Sequence, residues 1–217
     1  MSKDMLGSLT RALVAVPQKW LGLLIDIVNK MMSNDGENFY RELAKFVRNW
    51  KSLVETKVTQ FPVWKTVKLG IGLTTADDFR TAIKQAGFRI GDWANDILGK
   101  PAFTVSEVEM ELDLVNISVA ELGFENGATR KEVYDRAIEL GLALCPNEVG
   151  PQLRLQYKDQ PRGEWFIVAM EPISDSVGDL EVFFLAHRVG GLWLYCGNGH
   201  PGFRWVADTR FVFVRPR

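Results

Sequence analysis

The stretch "EPISDSVGDLEVFFLAHRVGGLWLYC", residues 171–196, decides how the rest of the chain is read. It is dense in apolar and β-favouring residues and is cut twice by turn residues, at "SDSVGD" and at "RVGG". Such punctuation predicts strands that fold back on one another. The pattern continues on both sides. "QLRLQYKDQPRGEWFIVAM" (152–170) carries a turn signal at "KDQPRG", and "RWVADTRFVFVRP" (204–216) supplies a further pair of candidate strands. Beyond Gly150 the expectation is therefore a run of hairpins forming a mainly antiparallel sheet.

Working outward, helices alternate with strands in the preceding half. "FPVWKTVKLGIGL" (61–73) alternates like a strand until its glycines. Thr75 and Asp78 have the spacing of a capping box, and Gly87 followed by Phe88 has the form of a left-handed helix stop. The same four signals recur at Thr129, Glu132, Gly141 and Leu142. The side chains between them do not align, which favours two uses of one good helix design over a duplication. "GDWANDILG" (91–99) predicts a short helix, and the helix over 129–140 is expected to cover one face of the sheet. In "VSEVEMELDLVNISVAEL" (105–122), Val108, Met110 and Leu112 alternate with Glu107, Glu109, Glu111 and Asp113, the signature of a strand with one wet face. The phase breaks at Leu114 and Val115, which predicts a bulge or a new strand there.

The opening segment is different. Leu6, Leu9, Leu13, Val16, Trp20, Leu23 and Ile27 fall in steps of three and four, one face of a helix that Pro17 kinks or divides. After the turn "SNDG", "ENFYRELAKFVRNWKSLVE" (37–55) reads as a second helix. The expected organisation is a helical hairpin over 1–60 and an α+β domain over 61–217. The hairpin's apolar face is expected to pack on the body, to self-associate or to meet a protein partner.

Composition excludes several classes. Apolar residues make up 47% of the 217 and charged residues 24%, ordinary globular values. With 26 Lys and Arg against 27 Asp and Glu, no global field draws the chain to nucleic acid. Arg11, Lys19, Asp26 and Lys30 interrupt the most apolar stretch, so it does not read as a transmembrane helix or a signal peptide. The two cysteines, Cys145 and Cys196, cannot form a disulfide framework, which fits a cytoplasmic setting.

Candidate chemistry is sparse. In "LWLYCGNGHPGFRW" (192–205), Cys196 stands close before His200, but the glycines, asparagine and proline between and after them are turn residues. Too few further ligands at suitable spacing accompany them for zinc. Asp175, Ser176 and Asp179 in "SDSVGD", with Glu181 just after it, offer oxygens without the ligand schedule of a calcium loop. With His187 the three acids are the carboxylate and base candidates for a hydrolase or nuclease. "LGIGL" lacks both the dinucleotide fingerprint and the phosphate-cradling loop, so no cofactor is expected. Last, Trp165, Phe166, Trp193, Tyr195, Phe203, Trp205, Phe211 and Phe213 interleave with Arg154, Lys158, Arg204, Arg210, Arg215 and Arg217, of which Arg204 and Arg210 are candidates for single-stranded nucleic-acid binding.

The segments 127–183, from "GATRKEVYDRAIELG" to "SDSVGDLEVF", and 63–105 with "NDGENFYRELAKF" (34–46) resemble a group of uncharacterised bacterial proteins. The resemblance covers most of the chain and implies a bacterial origin; it brings no catalytic residue or ligand. The leading expectation is a non-enzymatic binding or interaction module, with the carboxylate hydrolase or nuclease and the nucleic-acid binder as alternatives.

Overall fold

The computed structural model describes residues 61–217 together with residues 29, 37–39, 41 and 45. The chain divides into two compact units, Met1–Leu53 and Val54–Arg217. In the first, the described residues are helical and Arg41 pairs with Glu37 one turn away at 2.9 Å. The remainder of the expected hairpin, with its apolar face, lies outside the described residues.

In the second unit the deciding stretch folds as expected. Strands β7 (Leu180–Arg188) and β8 (Gly191–Asn198) pair antiparallel without a break from Glu181↔Asn198 to Arg188↔Gly191, reversing through Val189 and Gly190. The short β6 (Ile173–Ser174) adds to β7 across the "SDSVGD" turn. They belong to an eight-stranded sheet that also contains β1 (Lys65–Leu69), β2 (Arg89–Ile90), β3 (Met110–Ser118), β5 (Trp165–Val168) and β10 (Arg210–Arg215). Its order is β1-β3-β10-β5-β7-β8-β2, with β6 on β7. The β10–β5 and β2–β8 pairs are parallel and the others antiparallel, so the sheet is mixed. The class is α+β.

Two helices begin and end as their residues dictate. In α1 (Ala76–Gln85) the Thr75 hydroxyl accepts from the Asp78 N–H while Asp78 accepts from the Thr75 N–H; in α3 (Arg130–Glu139) Thr129 and Glu132 do the same. Gly87 and Gly141 then take left-handed angles, φ 77° and 87°, and the following N–H groups reach back to Ile83 and Ala137. The short α2 (Asp92–Leu98) lies between them in sequence.

Three expectations fail for physical reasons. "VGPQLRLQ" is a helix, α4 (Val149–Gln156), where a hairpin strand was expected. Its alternation Leu153, Leu155 conceals a helical face: Val149 and Leu153 are both buried one turn apart. Pro151 is tolerated because it lies in the first turn, and Gly150 lets the helix backbone approach the sheet. A Cβ on Gly150 would lie 2.6 Å from the Phe183 ring. Strand β3 has no bulge; its register to β1 and to β10 is continuous. The phase break at Leu114 and Val115 arises because both are buried, one on each face. Finally β9 (Arg204–Trp205) does not pair with β10; it leaves the sheet to pair with β4 (Ala128–Thr129).

Each face of the sheet has its own cover. On one side α4 packs against Phe183, fixed at its start by the buried Glu148 carboxylate, which accepts from the N–H groups of Gly70 and Ser106 and from Gln152. On the other, α3 lays Tyr134 edge-on against Phe211 and Phe213, 6.2 and 6.0 Å between ring centres, and Trp205 meets Phe211 at 5.9 Å. Tyr134 also donates its hydroxyl hydrogen to the Met170 carbonyl. No helix among the described residues is long and apolar enough to cross a membrane.

Candidate functional site

The residues singled out for catalysis assemble only in part: Asp175, Asp179, Glu181 and Cys196 are neighbours, while neither His187 nor His200 hydrogen-bonds to any of them. Cys196 and Glu181 share the face that α4 covers, since Phe183 pairs with Cys196 and Glu181 with Asn198. Burial pushes the Cys196 thiol far up, helped by the charges of Glu181, Asp175 and Asp96, so it stays a thiol rather than a nucleophilic thiolate. Cys145 is buried too, with its Sγ 3.4 Å from the Val212 carbonyl, and its thiol is likewise pushed up by burial. His200 is exposed, and its Nδ1 accepts from Gly202 N–H at 3.1 Å within its own turn. The loop is a turn in geometry as well as in composition.

Asp175, Asp179 and Glu181 do gather, but the turn engages the Asp175 carboxylate itself. Asp175 Oδ1 accepts from the N–H groups of Val177 and Asp179, both at 2.9 Å. Asp96 of α2 accepts from Ser176 N–H and hydroxyl at 2.7 and 2.6 Å, and those bonds, with Lys100 alongside, hold its carboxyl below the usual range. Glu181 goes the other way: burial, then Asp175 and Asp179, raise its carboxyl. His187, six residues further along the same strand, is about 20 Å from Glu181 at ~3.3 Å per residue. Among the described residues no group of three or more His, Cys, Asp or Glu is placed to hold a metal ion.

His187 belongs to a different neighbourhood. Its Nδ1 lies 2.6 Å from the Gln160 carbonyl, and because a carbonyl only accepts, Nδ1 carries the hydrogen and Nε2 is left over. Gln160 Oε1 accepts from Arg154, a fully buried guanidinium that also donates to the Tyr157 carbonyl and lies 5.1 Å from the Phe88 ring centre. Burial lowers the Arg154 pKa to about 10. This network stiffens the connection from α4 to β5. Next to it, Arg162, Gly163, His187, Arg188, Val189 and Tyr195 line a concavity of about 470 Å3.

The concavity opens beside an aromatic row on the face that α3 covers only in part. Trp165 pairs with Ala186 and Ala186 with Trp193; Ile167 pairs with Phe184 and Phe184 with Tyr195. All six therefore point to one side. Trp193 and Tyr195 stack at 4.8 Å, Tyr195 and Phe184 at 5.2 Å, and Trp165 meets Phe184 edge-on at 6.2 Å. Trp165 keeps 40% of its surface exposed. The Arg188 guanidinium lies 5.4 Å from the Tyr195 ring centre and 5.8 Å from that of Phe184, and Arg89 lies 5.3 Å from that of Trp193. The Trp193 indole N–H is buried without an acceptor among the described residues.

Arginines separate into two kinds. Arg204 donates to the carbonyls of Asn126 and Gly127, and Arg210 to Asn116 with Glu121 at 3.2 Å. These two candidates brace loops and strands. Among the described residues the exposed Arg89, Arg162 and Arg188 form neither an ion pair nor a side-chain hydrogen bond. The sequence reading missed all three. Arg188 was recoverable, because it continues the Phe184, Ala186 spacing; Arg89 was not, because a two-residue strand has no period to read.

Comparison with protein-family models, with curated proteins and with solved structures finds no match to this chain.

Proposed function

We propose that the protein acts by binding rather than by bond-making, as an interaction module whose contact face is the aromatic row of β5, β7 and β8, and that its partner is anionic. The observation that carries this reading is the contrast between braced and unengaged arginines: among the described residues, the exposed arginines with neither an ion pair nor a side-chain hydrogen bond, Arg89, Arg162 and Arg188, all border the partly exposed aromatic row. An exposed guanidinium resting on a ring keeps its donors turned to solvent and loses little rotamer freedom on meeting an oxyanion. The separation of both histidines from the cluster of Asp175, Asp179, Glu181 and Cys196 supports binding over the hydrolase alternative, since acid–base chemistry needs those groups within hydrogen-bond reach of one another.

Retention on phosphocellulose tests the reading. The wild-type protein is expected to be held and to elute with salt, the R89E/R162E/R188E variant to pass through, and the control Lys84→Glu on α1 to behave as wild type. Flow-through of the wild type, or equal retention of the triple variant, would sink it.

A further inference from the structure

Resting on that reading, we infer that the anionic partner is a single-stranded nucleic acid, with a phosphate in the concavity lined by Arg162, His187 and Arg188 and a base on the rings of Tyr195 and Phe184. Three features select this partner over an acidic peptide. First, the unpaired arginines do not form a plain basic patch: two of them sit on aromatic rings, so cations and π-faces share one surface. A peptide carboxylate uses only the guanidinium groups, whereas a nucleotide uses the rings as well. Second, Arg188 is the group that must move for a base to stack, and the exchange is favourable. A guanidinium on an exposed ring is worth less than a base stacked there, and the displaced Arg188 is then free to follow the phosphate.

Third, the cationic concavity and the aromatic row adjoin, because Tyr195 lines the one and belongs to the other. Arg162 and Arg188 lie at the same rim, and Arg89 continues the charge past Trp193. The path is short, a few nucleotides across β5, β7, β8 and β2, and base edges are not read, so binding is tolerant of sequence.

The test is fluorescence anisotropy of labelled oligothymidylate, with unlabelled inorganic polyphosphate and polyglutamate of matched charge as competitors. Oligothymidylate is expected to bind about tenfold more tightly than polyphosphate, the advantage of one stacked base. With three phosphate contacts, log K should fall against log salt with a slope of about −2, and each arginine removed should reduce that slope by about 0.7. Trp165→Ala, an exposed position, and Tyr195→Leu should weaken oligothymidylate several-fold and leave polyphosphate competition unchanged; Arg188→Glu should weaken both. Circular dichroism confirms that each variant folds. Equal affinity for oligothymidylate and polyphosphate overturns the nucleic-acid inference while the anionic face survives. Preference for polyglutamate overturns it in favour of an acidic peptide. No binding of any of the three removes both readings.

Discussion

One face of the sheet carries two aromatic clusters that the sequence writes in the same way and the fold treats oppositely. Phe211 and Phe213 lie fully buried beneath Tyr134 of α3 and beside Trp205. Trp165, Phe184, Trp193 and Tyr195, a few strands away, have arginines where the others have a helix. The difference teaches that alternation of aromatics marks a face and says nothing of what lies on it. Covered rings stabilise the fold; the second cluster, among the described residues, is only partly covered and lies beside exposed arginines.

The sharpest way to break this comparison is to truncate one ring from each cluster. Phe211→Ala should cost about 3–5 kcal/mol, the usual range for emptying a buried aromatic site, while Trp165→Ala should cost within about 0.5 kcal/mol of nothing, as for a surface position. Urea unfolding of the two variants measures both. Similar losses would mean that Trp165 is a core residue and the contact-face argument fails.

The opposite face sharpens the comparison, because there the cover is so close that one atom decides. Gly150→Ala should gain up to about 1 kcal/mol in helix propensity, yet the added methyl meets the buried Phe183 ring, an overpacking cost of about 1–3 kcal/mol. Net destabilisation in the same assay is the expected outcome. A more stable variant would show that α4 slides freely over β7, which would leave no difference between tight and open cover.

The smallest effect concerns the margin of that covered face. Glu181 has its carboxyl raised in the folded protein by burial and by Asp175 and Asp179. A raised folded value means that the unfolded chain gives up this proton first, so the group works against folding once pH rises above its unfolded value. Glu181→Gln should therefore raise the melting temperature at pH 7 and leave it unchanged at about pH 3, below the ordinary carboxylate range. A variant that melts earlier than wild type at pH 7 would give Glu181 a stabilising partner that the geometry lacks.

Local instructions were the legible part. Both capping boxes, both glycine stops, the β7–β8 reversal and the short α2 follow from residues within a few positions of each other, and each formed as its side chains dictate. What failed depended on distant neighbours. Leu153 and Leu155 alternate as in a strand, and only the Phe183 ring over Gly150 shows that a helix belongs there. Leu114 and Val115 broke the strand's period because α-helical layers cover both sides, a fact about elements far along the chain. Of the binding candidates, Arg204 and Arg210 were chosen for their company in sequence, whereas their partners Gly127, Asn116 and Glu121 come from elsewhere. The site's own arginines were hidden for the same reason: being unpaired is a property of the folded surroundings.

The position of β10 between β3 and β5 has a consequence for how the molecule is made. Asn116 must wait for Arg210, 94 residues later, before its strand acquires its second neighbour. While the ribosome is still delivering the intervening chain, β3 presents an open row of amides and carbonyls, an invitation to intermolecular pairing. Glu111 and Asp113 near its start are a charged deterrent to such pairing. Insertion of β10 between β3 and β5 is a long-range pairing of the kind that slows folding.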